Sequence, residues 1–279
     1  MTHIFGASVN GLPDDISQLK AFETEVNQAT TIANYYIDFT TPTFDDVVPT
    51  AMINAGLEVM LTWQPTDWST SQPITLAEII AGKYDSLITT WAQQIAKWGK
   101  PLFMRFAHEM NGNWYSWCVG QNGNTAAQYI QAWRHVHSIF ETAKCTNVKW
   151  VWCPNVEWGQ GPSLASCYPG DNYCWMVGLD GYNWGSANGG DDWASAAAIF
   201  NGSLTALRAF TAKNILICET SCVEGGGSKA QWITDFFAWL PTAPLIGFLW
   251  FEINNNPNWL VESSESSLAA FKAGLTSYL

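Results

Sequence analysis

FMRFAHEMNGNWYSW, residues 103–117, runs as an apolar strand into a carboxylate and then into aromatic rings. The strand breaks at Glu109, with His108 immediately before it and Arg105 upstream; Trp114, Tyr115 and Trp117 follow in the loop. That order suits a sugar-cleaving site. The acid must sit in a mouth, and flat rings must be available to stack on pyranose faces.

Outward from this stretch, the chain repeats one unit. Apolar or β-branched runs fall at 4–7, 32–38, 57–62, 102–107, 148–152, 176–181, 215–219 and 245–250. Amphipathic segments at 14–26, 44–55, 76–98, 126–143, 192–212, 228–240 and 264–277 lie between and after them. Ile88, Trp91, Ala92, Ile95 and Trp98 recur every three or four residues, the period of a helix with one buried face. Eight strands alternating with helices predict a parallel sheet with right-handed crossovers. Eight such units close into a (β/α)8 barrel, here a single domain over 1–279. The competing doubly wound sheet would carry a Gly-rich phosphate turn after its first strand, and Gly6-Ala7-Ser8-Val9-Asn10-Gly11 matches that poorly. Segment 157–173, rich in Gly, Pro, Ser and Cys, reads as a long loop.

Composition narrows the partners. The chain carries 17 Trp, 9 Tyr and 14 Phe against 12 Lys and Arg, with a net charge of −12. Nucleic acid and anionic membrane both demand a basic surface, so neither is expected as a partner. A neutral polysaccharide fits, bound by a monomer. No stretch is apolar enough to span a bilayer. No basic and apolar leader opens the sequence; we expect an extracellular protein whose leader has been removed. Cys167 and Cys174 flank a short loop and could bridge locally, while the odd count of seven leaves at least one thiol unpaired. No Cys or His spacing resembles a zinc site, and no metal or cofactor is expected.

In a barrel, active sites collect at the C-terminal ends of the strands. Those ends hold Trp63 and Gln64, Arg105 to Glu109, Trp152 to Asn155, Asp180 to Asn183, Glu219, and Trp250 to Glu252. Glu109 ends the fourth strand and Glu219 the seventh, across the mouth from one another. Glycoside hydrolysis needs one acid for the leaving oxygen and a second carboxylate at the anomeric carbon. A Glu at a buried strand end has its pKa raised by desolvation, which suits a general acid.

The run 104–117 resembles the acid/base signature of glycoside hydrolase family 26, in which a His precedes the acid. Trp152-Cys153-Pro154-Asn155, Tyr168-Pro169-Gly170-Asp171, 178–183 (GLDGYN) and Ile217-Cys218-Glu219-Thr220 fit in the same order. The resemblance implies a barrel and a retaining double displacement. It makes Glu109 the acid/base and Glu219 the nucleophile. Tyr182 then bonds the nucleophile, Trp250 floors the subsite of the reacting sugar, and Trp114 stacks on the leaving-group side. The family holds β-mannanases, mixed-linkage β-1,3-1,4-glucanases and β-1,3-xylanases. Mannanases of the family tend to carry His where this chain has Gln64, and Arg after the eighth-strand Trp, where Phe251 and Glu252 stand here. Both departures weaken the mannanase reading, and a mixed-linkage β-glucanase is expected, with a β-mannanase or a β-1,3-xylanase as the alternatives within the family.

Trp63, Trp68, Trp158 and Trp184 are expected in mouth loops, some stacking on sugar and others packing the loops. Tyr115 and Asn155 are expected to support the site. Arg105 points into the barrel and is read as a supporting residue. Glu157 and Glu252 either touch sugar hydroxyls or form structural pairs. His135 and His137 are surface or packing residues. A non-catalytic carbohydrate-binding barrel is the alternative outside the enzymes.

Overall fold

The computed structural model describes residues 3–70 and 72–279. Strands β1 (Ile4–Val9), β2 (Ile32–Asp38), β3 (Glu58–Gln64), β4 (Leu102–Phe106), β5 (Val148–Trp152), β6 (Met176–Asp180), β7 (Ile215–Thr220) and β8 (Gly247–Glu252) pair in chain order, all parallel. The pairing of β8 with β1 closes the barrel. The helices are α1 (Ser17–Val26), α2 (Val47–Asn54), α3 (Leu76–Ile80), α4 (Asp85–Trp98), α5 (Ala126–Thr142), α6 (Leu164–Cys167), α7 (Ala196–Arg208), α8 (Lys229–Trp239) and α9 (Glu265–Tyr278). The (β/α)8 barrel expected from the repeat is the fold. Among the described residues no helix is long and apolar enough to cross a membrane.

Local chemistry explains the main departures. The expected helix over 76–98 is two helices, because Gly82 takes φ +82° and turns the chain between α3 and α4. A left-handed residue cannot continue a right-handed helix. The segment from 192 becomes helical only at Ala196, where the Ser195 hydroxyl caps the first turn by accepting from the Ala198 amide. Within 157–173 the chain forms the one-turn helix α6 and a 3-10 turn at Asp171–Tyr173, joined by loop.

Strand parity builds two cores. Ile32, Met60, Phe103, Val151, Cys153, Met176, Leu216, Cys218 and Leu249 form a compact apolar cluster inside the barrel. Their strand neighbours, among them Leu61, Trp63, Phe106, Trp152, Phe248 and Trp250, join the larger cluster shared with the helices. Above the inner apolar cluster the barrel is filled by polar side chains. Asn34 donates to Ser8 (3.0 Å), Thr62 donates to Asn34 (2.6 Å), and Arg105 Nε donates to Thr62 (2.7 Å). This belt carries the candidate site on a packed floor.

Gly178 of β6 shows how tightly that floor is filled. A Cβ there would lie 2.5 Å from Cys153 Sγ and 2.7 Å from Cys218 Sγ. We expect Gly178→Ala to cost about 1–3 kcal/mol through overpacking, lowering the melting temperature by several degrees. An unchanged thermal transition would show that the inner layer has room to spare.

Candidate active site

The end of β4 delivers Glu109 by a strained turn. Ala107 and Glu109 have φ of 44° and 53°, the left-handed region that non-glycine residues occupy only when their surroundings enforce it. Here three successive carbonyls each receive a side-chain donor. Tyr129 Oη reaches Ala107 O (3.1 Å), Trp117 Nε1 reaches His108 O (2.6 Å), and Cys118 Sγ reaches Glu109 O (3.3 Å). The Glu109 amide donates to the Cys153 carbonyl at 2.7 Å.

The Glu109 carboxyl is held at both oxygens. Asn155 Nδ2 donates to Oε1 (2.6 Å) and Trp114 Nε1 to Oε2 (2.7 Å). Asn155 is placed by a reciprocal pair, its amide bonding Asn111 Oδ1 while Asn111 Nδ2 bonds the Asn155 carbonyl. Trp114 lies flat against the main chain because residue 112 is glycine; a Cβ there would sit 2.5 Å from the indole. The ring remains 48% exposed, so one face is open to the mouth. Burial, and next the charge of Glu219, push the Glu109 carboxyl up to about 7, while the Asn155 and Trp114 bonds pull the other way.

Glu219, buried at the C-terminal part of β7, has a different setting. Its Oε1 accepts from Tyr36 Oη (2.6 Å) and from Arg105 Nη2, and its Oε2 accepts from Tyr182 Oη. Arg105 Nη1 pairs with Asp180 at 2.8 Å, and all three side chains are buried. Burial holds both tyrosines protonated, as donors must be. Three donors converging on one carboxylate is an arrangement for an anion. The two carboxyl groups thus divide into one that retains its proton near neutrality and one surrounded by donors, the division that acid and nucleophile require.

Comparison with known proteins agrees with this geometry. The family model described as glycosyl hydrolase family 26 matches residues 37–239. The chain belongs to that family. It is 36% identical over 280 residues to a protein named endoglucanase H from Acetivibrio thermocellus, covering 97% of this chain and 30% of that protein. A protein named mannan endo-1,4-beta-mannosidase A and B from Caldalkalibacillus mannanilyticus is 38% identical over 90 residues, 30% of this chain and 17% of that one. This chain therefore spans less than a third of the length of these relatives. The solved GH26 β-mannanase of Bacteroides ovatus shares the fold, with TM-score 0.74 and 16% identity over 99% of this chain and 89% of that one.

Other expected residues fall into four groups. His108 is buried beside the acid, 5.0 Å from the Tyr115 ring, and Tyr115 stacks on Trp117 at 4.2 Å. Burial, with Arg105 adding to it, keeps the His108 imidazole neutral, and neither ring nitrogen has a protein partner. Gln64 faces the mouth through Trp68, whose Nε1 donates to Gln64 Oε1 at 3.1 Å and whose ring is 53% exposed. Trp184 packs edge-on against Trp259 (4.9 Å) and stands 6.0 Å from Tyr182. Trp158 donates to the Asn111 carbonyl and lies 6.1 Å from Trp114.

Two expectations are corrected. Trp63 does not reach the mouth; it is fully buried and stacks on Trp91 of α4 at 4.7 Å. Trp250 does not floor a subsite; it is fully buried outside the barrel, 4.9 Å from Phe271 of α9. Strand parity is the reason, because Thr62 and Leu249 point inward and their neighbours must point out. Phe251, the next residue, is the one beside Tyr182, at 5.6 Å. The open alternatives also resolve. Glu157 bonds the Leu164 amide, and Glu252 accepts from the Val261 amide, its pKa pushed up to about 10 by burial and Glu262. His135 pairs with Asp85 and His137 with Glu141 on the barrel's outer layer. All seven cysteines are free and buried, Cys167 and Cys174 included. Sequence reasoning missed Tyr36, an inward aromatic of β2 that looks like core and bonds Glu219.

His108, Asp180 and Glu219 form a cluster of potential metal ligands, as do Cys153, Asp180 and Cys218. Arg105 already bonds Asp180 and Glu219, so its guanidinium supplies the positive charge that a cation would bring. The donor set fits an ion-paired floor better than a metal centre.

A proton donor with a pKa of about 7 is active below that value and lost above it. We expect the alkaline limb of kcat/KM for polysaccharide hydrolysis to fall near pH 7. Asn155→Ala removes a hydrogen bond that favours the ionised form, so the limb should move to higher pH, with a lower maximum. A limb that stays in place or moves down would remove Asn155 from control of Glu109.

Proposed function

We propose that the chain is a retaining endo-β-glycanase acting on mixed-linkage β-1,3-1,4-glucan. The observation that carries this reading is the unlike treatment of the two carboxyl groups. Glu109 gives its proton to the glycosidic oxygen while a Glu219 oxygen attacks the anomeric carbon; the leaving chain departs and a glycosyl ester forms. Glu109, now ionised, takes a proton from water, whose oxygen displaces Glu219 from the same carbon. Arg105, Tyr36 and Tyr182 hold Glu219 until the ester forms and receive its charge when it leaves. Neutral His108, fully buried against the Tyr115 ring, packs beneath the turn that carries Glu109. Trp114 and Trp68 present exposed ring faces for pyranose stacking. We read the protein as a monomer working outside the cell, where such polymers are met; its net charge of −12 suits a neutral substrate.

Azide rescue tests the acid/base role. Glu109→Ala should abolish hydrolysis of polysaccharide but spare the first step on an activated aryl glycoside, which needs little protonation. The ester would then accumulate, and azide should restore turnover as a β-glycosyl azide. If azide rescues nothing and both substrate types suffer alike, Glu109 is not the acid/base. Absence of hydrolysis by the wild type on any glycan would leave the binding barrel as the reading.

Substrate choice rests on Gln64 and on the long match to a protein named as an endoglucanase. Gln64 Oε1 is taken by Trp68, leaving its amide N–H groups to face the mouth. We expect faster hydrolysis of barley β-glucan or lichenan than of mannan or β-1,3-xylan. A β-1,4-mannanase is the second reading, favoured by the shorter match to a named mannosidase. Faster cleavage of mannan would select it and leave the glycosidase mechanism intact.

A further inference from the structure

We propose that the Cys153 thiol is a positioning residue for this reaction, donating to Asp180 and so holding the carboxylate that fixes Arg105 against Glu219. The inference rests on the double-displacement reading above. Cys153 directly follows β5 and is fully buried in the barrel interior. Its Sγ lies 3.2 Å from Asp180 Oδ1 and 3.7 Å from Arg105 Nη1. Arg105 Nη1 bonds the other oxygen, Asp180 Oδ2, at 2.8 Å. The thiol therefore accepts from the guanidinium and gives its S–H to the carboxylate. Among the described residues these two are the side-chain donors to Asp180. Remove the thiol, and Oδ1 is a buried carboxylate oxygen with no side-chain donor, a costly state.

The surroundings are arranged for a protonated thiol. Burial pushes the Cys153 thiol well above its ordinary range, so it is a donor throughout the working pH. Gly178 leaves room between the strands for Cys153 and Cys218. Burial pushes the Asp180 carboxyl upward, and an ionised Cys153 would push it further, against the pull of Arg105; as a neutral thiol Cys153 donates to Oδ1 instead. A donor at Oδ1 opposes protonation there. The groups facing Asp180 are Arg105 of β4, His108, Glu109 and Tyr115 in the turn and loop after it, Cys153 after β5, Tyr182 after β6, and Cys218 and Glu219 of β7. Those facing Glu109 are Arg105, Tyr115, Cys118, Asp180, Tyr182 and Glu219, together with the donors Asn155 and Trp114. If Asp180 takes a proton, one negative charge near Glu109 disappears, and the acid loses part of what keeps it protonated.

The test uses the full chain and whichever soluble polysaccharide the wild type cleaves fastest; no cleavage by the wild type would fault the catalytic reading, not Cys153. Cys153→Ala should lower kcat about tenfold, the loss expected of a hydrogen bond to a charged group, with KM little changed. Its alkaline limb should shift to lower pH. Cys153→Ser keeps a donor and should retain the wild-type limb and most of kcat. An Ala variant with an unmoved limb, or a folded Ser variant as impaired as Ala, overturns the proposal and leaves Cys153 as packing. Infrared spectroscopy of the wild type decides the point even if the Ala variant does not fold. The S–H stretch that vanishes in Cys153→Ser should lie below that of a non-donating thiol, and an unshifted band refutes the hydrogen bond.

Discussion

The guanidinium of Arg105 is a full positive charge with no exposure to water, and the floor of the site is organised around it. An unpaired charge in that position would cost many kcal/mol, so every donor has to be met. Thr62 takes Nε, Asp180 takes Nη1 and Glu219 takes Nη2. Thr62 is in turn fixed by Asn34, and Asn34 by Ser8, which carries the constraint through β3 and β2 to β1. Lysine could not replace this arginine. Its ammonium is a point donor, and the acceptors Thr62, Asp180, Glu219 and the Cys153 thiol lie around a planar fork. One side chain thus ties the sheet to the residue proposed to attack the sugar.

Charge supply then separates the two glutamates without any difference in residue type. Glu219 has the cation and two tyrosine hydroxyls; Glu109 has an amide, an indole and the negative field of its partner. Two like charges in a dry mouth cannot both be cheap, and the one farther from Arg105's donors is the one that keeps its proton. The backbone contributes as well. Left-handed conformations at Ala107 and Glu109 turn the chain sharply at the mouth, and donors from Tyr129, Trp117 and Cys118 stabilise the turn.

The barrel was legible because its signal is repeated eight times, and one blurred unit does not hide it. Glu109 and Glu219 were legible because a carboxylate closing an apolar strand is uncommon without a use. Directions of side chains were harder. Trp63 and Trp250 lie at strand ends, where an aromatic reads equally well as mouth or as packing, and only the parity set by Thr62 and Leu249 sends them outward. Tyr36 shows the converse: adjacent Tyr35 and Tyr36 look alike in sequence, yet one is in the outer core and the other bonds a carboxylate on the far side of the barrel. Contacts across 114 or 183 positions, as for Arg105 and Tyr36 with Glu219, leave no trace in local pattern.

The seven buried cysteines carry a practical meaning. Each thiol is enclosed in the fold, and burial raises the pKa of six of them, Cys118, Cys145, Cys153, Cys167, Cys174 and Cys222, so little reactive thiolate is presented to solvent. Buried, protonated thiols are poor partners for disulfide exchange, in a reducing cytosol and in oxidising surroundings alike. Host compartment and redox additives should therefore matter little to its production. Its thiols become a liability only while the barrel is open, which makes unfolding, not exposure to oxygen, the event to guard against in storage.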